Sequence, residues 1–280
     1  MKKILVPTDL TVLGDYAYTI ANKIAESNDA QIILLSVVMA PQNTLFDANG
    51  NFIEDGESDY TVLKQKQVLL QEQLDKFAEN KKQISKQISV IGNINQAILN
   101  CTKNEEIDLI VMGTNGNYSQ TLFSHQSHAE FLINHSSIPI ITLKCDRSNL
   151  NVDKIAFVSD FLEPENYQLD TLKKVQSIFD STLILLKILT KRQIRSKEEI
   201  TKTIENFAEK NELNKYEIHF YEDQSVEHGV SKFCAEKDID LIALGTHQRS
   251  GFSKFFRHSI TDDIVNNVFH PILTFPIKEN

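Results

Sequence analysis

Two doubly wound α/β domains in tandem, each built on a mostly parallel sheet, are what this sequence predicts. Three observations carry the prediction. Short β-branched runs alternate with longer amphipathic stretches, the strand-like runs are apolar nearly throughout, and the whole pattern occurs twice. In the first copy, runs near 3–7, 31–38, 85–91, 108–112 and 138–143 read as strands. Between them, 12–27, 60–82, 94–103 and 122–135 place apolar residues at helical spacing. The second copy repeats this with strands near 154–159, 182–189, 216–221, 240–244 and 271–275. Runs such as QIILLSVV and STLILLKIL leave no polar face, as a parallel sheet covered by helices on both sides requires.

The duplication is legible residue by residue. EIDLIVMGTNG at 106–116 and DIDLIALGTHQ at 238–248 share six of eleven positions at an offset of 132. The same offset carries Ser127 onto Ser259, Pro139 onto Pro271, Ile140 onto Ile272 and Thr142 onto Thr274. The copy starts, KKILVPTDL at 2 and DKIAFVSDF at 153, align Asp9 with Asp160 at an offset of 151. The first copy therefore holds about nineteen extra residues, most simply placed near 41–60. Domains are expected at 1–146 and 151–280, with the seam in the polar stretch 146–152.

Composition narrows the function. The 280 residues carry 29 basic and 38 acidic side chains, a net charge of −9. Both halves are acidic: 12 basic against 17 acidic groups in 1–150, and 17 against 21 in 151–280. Such a surface repels phosphate backbones, which argues against nucleic-acid or anionic-membrane binding. No apolar run reaches the roughly 18 residues of a membrane helix, and the N-terminus lacks the features of a secretory signal. Cys101, Cys145 and Cys234 are odd in number and show no C-x-x-C spacing, so they read as reduced packing thiols. A cytoplasmic protein is expected.

Ligands in doubly wound sheets bind at the carboxyl ends of strands where the strand order reverses. That rule selects Pro7, Thr8, Asp9, Val37, Gly113 and Thr114 in the first copy, and Ser159, Asp160, Lys187, Gly245 and Thr246 in the second. Neither G-x-x-x-x-G-K-[ST] nor G-x-G-x-x-G is present. Instead Gly113 and Gly116 follow a strand, and Gln126-Ser127 opens a helical stretch nine residues later. Glycines there would let backbone N–H groups approach a phosphate, and the serine hydroxyl would lie beside a helix N-terminus. The structural alternative is that the glycines shape a turn and Ser127 caps a helix. Asp9 could accept from an adenine amino group or a ribose hydroxyl.

These residues resemble the universal stress proteins, specifically the tandem type with two domains in one chain. The resemblance rests on ILVPTDLT at 4–11, GTNG-x9-QS-HAEFLINHSSIPIITL at 113–143, FVSDF at 157–161 and GTHQ-x9-HS-ITDDIVNNVFHPILTF at 245–275. It implies Rossmann-like domains forming a pseudo-dimer, with SIPIITL and HPILTF pairing as last strands. It also implies ATP or another adenine nucleotide as ligand, held through G-x2-G-x9-G-[ST] and an early aspartate. Asp9, Val37, Gly113, Gly116 and Ser127 match that pattern, whereas Gln126 replaces the third glycine. In the second copy Gly245 and Ser259 match, but Gln248 and His258 replace glycines. Its loop instead holds Arg249, Lys254 and Arg257, while 117–128 has no lysine or arginine. Three readings follow: the first copy binds nucleotide weakly, the second takes a smaller anion around Asp160, Gly245, Thr246, Arg249, His258 and Ser259, or neither binds.

The expectation is a stress-response binding protein with an adenine nucleotide confined to the first copy. The first alternative is an interaction scaffold whose degenerate sites are structural or hold a small anion or metabolite, with an unknown protein partner. The second is a slow ATP hydrolase; an enzyme is not expected, since no G-x-S-x-G elbow accompanies Ser127 and its flanking histidines. A homodimer is compatible with all three. His125, His128 and His135 lack the further ligands a metal site needs. The DANGNFIEDGES stretch fails the EF-hand pattern at Phe52 and Ser58, and Asn49-Gly50 there suggests a hairpin in an acidic surface insert.

Overall fold

The computed structural model describes residues 1–41, 53, 60–114, 127–144, 151–161, 166–167, 169–190, 196–247, 264 and 268–278. The chain divides into two compact units, Met1–Thr114 with Cys145–Ser148, and Asn115–Lys144 with Asn149–Asn280.

Unit 1 runs β1 (Lys3–Pro7), α1 (Val12–Asn28), β2 (Gln31–Met39), α2 (Tyr60–Ala78), β3 (Ile84–Gly92), α3 (Ile94–Asn104) and β4 (Leu109–Gly113). All its strand pairs are parallel, in the order β3-β2-β1-β4. The chain winds outward from β1 to β3 and returns to the other side of β1, so the order reverses between β1 and β4. The core is the expected apolar set, with Ile4, Leu5, Val6, Leu34 and Ile110 fully buried. Helix α2 stops at Ala78 rather than near 82, because Asn80 turns left-handed at φ 63°.

Unit 2 holds α4 (His128–His135), β5 (Ile140–Leu143), β6 (Lys154–Val158), β7 (Asn166–Tyr167), α5 (Asp170–Phe179), β8 (Thr182–Leu189), α6 (Lys197–Lys210), β9 (Tyr216–Glu222), α7 (Val226–Lys237), β10 (Leu241–His247) and β11 (Ile272–Lys278). Its order is β5-β11-β10-β6-β8-β9, reversing between β6 and β10. Phe157, Phe161, Phe207 and Phe275 pack ring against ring in its core, with centroids 5.3–5.8 Å apart.

Sequence assigns α4 and β5 to the first copy, yet they count with unit 2 because β5 pairs antiparallel with β11, Ile272 opposite Thr142 and Thr274 opposite Ile140. This is the expected pairing of SIPIITL with HPILTF. Pro139 and Pro271 immediately precede the two strands, where a missing N–H costs no ladder bond. β7 was not anticipated. It covers the remainder of the same β11 edge, Tyr167 opposite Ile277 and Asn166 opposite Lys278, because β11 runs three residues past its expected end.

The duplication is also written in the backbone. Ten described non-glycine residues have positive φ, and they form five pairs: Leu10/Phe161 and Asp29/Asp180 at offset 151, then Asn80/Glu212, Gln83/Lys215 and Glu106/Asp238 at offset 132. Left-handed backbone disfavours side chains with a Cβ, so its recurrence at matched positions marks turns that both copies require. The offset changes between 29 and 80, which brackets the extra residues of the first copy. The insert residues 42–52 and 54–59, with the Asn49-Gly50 turn, lie outside the described residues.

The repeated aspartate of the I-D-L-I motif is explained here. Asp108 Oδ2 accepts from the N–H groups of Lys2 and Lys3, and Asp240 Oδ2 accepts from those of Asp153 and Lys154, the latter two at 2.9 Å. Lys3 Nζ donates to Glu105 O and Lys154 Nζ to Lys237 O, both at 2.8 Å, capping the ends of α3 and α7. These groups tie the amino end of each first strand, opposite the carboxyl strand ends. Asp240→Ala is expected to cost about 1–2 kcal/mol in urea denaturation while leaving any ligand affinity unchanged.

Candidate functional site

In unit 1 the strand reversal brings β1 and β4 side by side with β2 on the outer flank of β1, so Pro7-Thr8-Asp9, Val37 and Gly113-Thr114 occupy neighbouring strand ends. Thr8 extends the ladder, its N–H donating to Leu35 O at 2.9 Å. Its buried Oγ1 accepts from Leu10 N–H at 3.0 Å, which holds Leu10 in its left-handed conformation. Asp9 is exposed, and Oδ1 accepts from both Thr11 N–H (3.1 Å) and Thr11 Oγ1 (2.7 Å). This side chain–backbone turn leads into α1. Oδ2 is left as an acceptor at the switch point, making no hydrogen bond within the described residues.

Two unit 1 glycines have packing roles. A Cβ on Gly14 would lie 2.1 Å from Thr8 Oγ1, and one on Gly113 would lie 2.6 Å from Leu13 Cβ and 2.7 Å from Leu13 O. The first turn of α1 thus rests directly on the ends of β1 and β4. For Gly113 the bareness that sequence assigns to phosphate approach is used by α1.

Ser127 lies in unit 2, where it is the N-cap of α4 and its Oγ accepts from Glu130 N–H at 3.1 Å. Ser127 thus caps a helix, as the structural alternative describes, and α4 runs on from His128. Gly116 and Gln126, with His125, lie outside the described residues.

The second copy repeats the scaffold of the strand end. Ser159 N–H donates to Leu186 O, and Ser159 Oγ accepts from Phe161 N–H at 2.9 Å. The chemistry differs, because the Lys187 ammonium is ion-paired with Asp160 Oδ1 and also donates to Asp160 O at 3.3 Å. Gly245 and Thr246 lie within the ladder, opposite Phe275 and Pro276, since β10 continues to His247. Thr246 is buried, and its hydroxyl donates to Phe275 O on the neighbouring strand at 3.4 Å. Arg249, Lys254, Arg257, His258 and Ser259 lie outside the described residues.

One cluster escaped the sequence reading. Asp223, after β9, accepts from His228 Nδ1 at 2.9 Å, Lys232 Nζ at 3.3 Å and Gln224 N–H at 2.6 Å. The His228 bond, foremost, holds this carboxyl well below the usual carboxylate range. The offset of 132 maps these residues onto Ile91, Gln96 and Asn100, so the first copy has no counterpart. The signal available in sequence was a charged i, i+5, i+9 set where the first copy is uncharged.

The remaining candidates carry little chemistry. His135 Nδ1 lies 2.7 Å from Phe131 O and its ring stacks on Phe131. Among the described residues no group of three His, Cys, Asp or Glu could hold a metal ion, and no helix is long and apolar enough to cross a membrane. Burial pushes the Cys101 thiol up to about 11 and the Cys234 thiol to about 12, which keeps both protonated and unreactive.

A family model described as the universal stress protein family matches residues 1–144 and again 156–276. Among solved structures, a universal stress protein from Archaeoglobus fulgidus DSM 4304 is similar over 98% of this chain and 98% of its own, with a TM-score of 0.69 and 16% identity. A functionally unknown protein from Pseudomonas aeruginosa PAO1 covers 99% of this chain with 93% of its own, at a TM-score of 0.65 and 14% identity. These likenesses show a shared fold over both copies. No curated protein matches the chain.

Proposed function

The chain belongs to the universal stress protein family, with two copies of the domain in tandem, and we propose that it is a cytoplasmic stress-response binding protein whose first copy takes an adenine nucleotide. The observation that carries this reading is Asp9 at the switch point of unit 1, exposed and with Oδ2 unengaged, where Asp160 in unit 2 is paired with Lys187. Asp9 suits the base or ribose end of such a ligand as an acceptor for amino or hydroxyl hydrogens. Val37 on the neighbouring strand end would supply backbone and apolar contact. ATP carries its own charge to the phosphate end, where the glycine-containing segment after β4 would meet it.

The test begins with what the purified protein carries. With no tryptophan and seven tyrosines, the chain absorbs weakly near 280 nm, so a bound adenine is conspicuous. Mass spectrometry of the small molecules released on denaturation is expected to show one adenine nucleotide per chain. Asp9→Ala is expected to weaken ATP binding at least about tenfold, the scale of a hydrogen bond to a charged group, and Ser259→Ala to leave it unchanged. An empty protein that ignores millimolar ATP overturns this reading.

A second reading, an interaction scaffold, is favoured by a different observation. Gly113 is used by Leu13 and Asp160 by Lys187, so both copies spend candidate ligand groups on their own packing. It predicts no nucleotide on the purified chain and loss of a protein partner when residues 45–58 are removed.

A further inference from the structure

The two strand-end aspartates are equivalent by register, and their difference is one residue long. Pro7 is paired with Leu35 on β2, and Val158 with Leu186 on β8, so the next residues along, Ser36 and Lys187, hold the same place. Ser36 is buried and its short hydroxyl donates to Thr8 O at 2.8 Å, one residue before Asp9. Lys187 has the reach of four methylenes. Its side chain is 7% exposed, and its ammonium is delivered to the carboxylate of Asp160, which is 64% exposed.

A lysine buried to this degree inside an otherwise apolar strand is costly unless its charge is met. Asp160 meets it, through both the carboxylate and the main-chain carbonyl. We propose that Lys187 is a built-in occupant of the second copy: its ammonium holds the donor position at Asp160 that a ligand would take at Asp9, and so excludes nucleotide from this copy. This rests on the nucleotide reading for the first copy, and makes Ser36/Lys187 the position that decides which copy accepts a ligand. A base or ribose arriving at Asp160 would meet a carboxylate whose charge the ammonium already neutralises, and taking the engaged oxygen would strip the buried ammonium of its counter-charge, a larger loss than one neutral hydrogen bond returns.

The position can be transplanted. In equilibrium dialysis of the full chain against ATP, Ser36→Lys is expected to bind more than about a hundredfold more weakly than wild type. Ser36→Ala, which loses only the bond to Thr8 O, is expected to retain binding. A folded Ser36→Lys protein that binds one ATP at wild-type affinity overturns the proposal while leaving the nucleotide reading intact. If wild type and Ser36→Ala both fail to bind ATP, the nucleotide reading has failed, and Lys187 is then judged without nucleotide. Acetylation of the wild-type protein by a sulfosuccinimidyl ester, followed by peptide mass spectrometry, is expected to modify Lys187 at least tenfold more slowly than exposed Lys174. Equal rates would show that the Asp160 pair opens freely, and would overturn the built-in occupant even where Ser36→Lys does not fold.

Discussion

Gly113→Ala is expected to destabilise unit 1 by about 3 kcal/mol, the upper end of overpacking costs, and to lower its melting temperature by on the order of 10 °C. The added methyl would lie 2.6 Å from Leu13 Cβ, 2.7 Å from Leu13 O and 2.9 Å from Leu13 C. Two of those atoms belong to the backbone of the first turn of α1, which cannot rotate away as a side chain does. Truncating Leu13 would remove none of the three contacts, so Leu13→Ala should not rescue the variant. Gly229→Ala is the informative contrast. Its Cβ would meet Ile188 Cγ2 at 2.9 Å and Asp223 Cβ at 3.1 Å, both side-chain atoms. Ile188 Cγ2 branches directly from Cβ and Asp223 Cβ is set by its own backbone, so the gain of about 0.5–1 kcal/mol from replacing a helical glycine offsets only part of the crowding, and a smaller loss of about 1–2 kcal/mol is expected. A Gly113→Ala protein as stable as wild type in urea denaturation would mean that α1 does not rest on β4 in solution.

The consequence for function is direct. Loss of nucleotide binding in Gly113→Ala says nothing about a phosphate cradle, because the scaffold carrying Thr8 and Asp9 fails with it. Asp9→Ala is the cleaner probe, since that carboxylate is exposed and, among the described residues, bonds only to Thr11.

The architecture was legible because strand-end and turn residues recur at matched positions, at an offset of 151 before the insert and 132 after it. The offset of 132 seen in EIDLIVMGTNG and DIDLIALGTHQ returns as paired left-handed residues at Glu106 and Asp238. What sequence could not resolve is how each residue type is used. A glycine at a strand end fits phosphate approach and helix packing alike in sequence, and the packing use of Gly113 becomes visible only with Leu13 in place. Ser127 fits a phosphate hydroxyl or an N-cap in sequence, and its capping role becomes visible only with the bond from Glu130 N–H. Lys187 stood in plain view inside STLILLKIL, an improbable place for a charge. Its partner Asp160 is 27 residues away, and the pairing emerges only once β6 and β8 lie side by side. β7 was invisible for a related reason, since a two-residue strand has no periodicity and exists only because β11 offers it an edge.

Acidification is expected to loosen unit 2 through Asp223 before unit 1 shows any comparable loss at the matching position, which is Ile91. The Asp223 side chain is 6% exposed and is held as a carboxylate, first by His228 and then by Gln224 N–H, Lys232 and Ser225 N–H. An unfolded aspartate titrates near 3.9, and the folded one lies lower. The folded chain therefore binds fewer protons than the unfolded chain between those two values. The contribution is fully present above about pH 5 and falls away as pH drops through the folded value. Asp223→Asn is expected to lower the urea midpoint at pH 7, and the gap to wild type should narrow below about pH 4. His228→Ala removes the largest support and should move that narrowing to higher pH. Hydrogen exchange locates the effect, with protection in α7 falling before protection in α3 as pH is lowered. A gap that is absent at pH 7, or unchanged down to pH 2, would show that Asp223 does not anchor the β9–α7 junction.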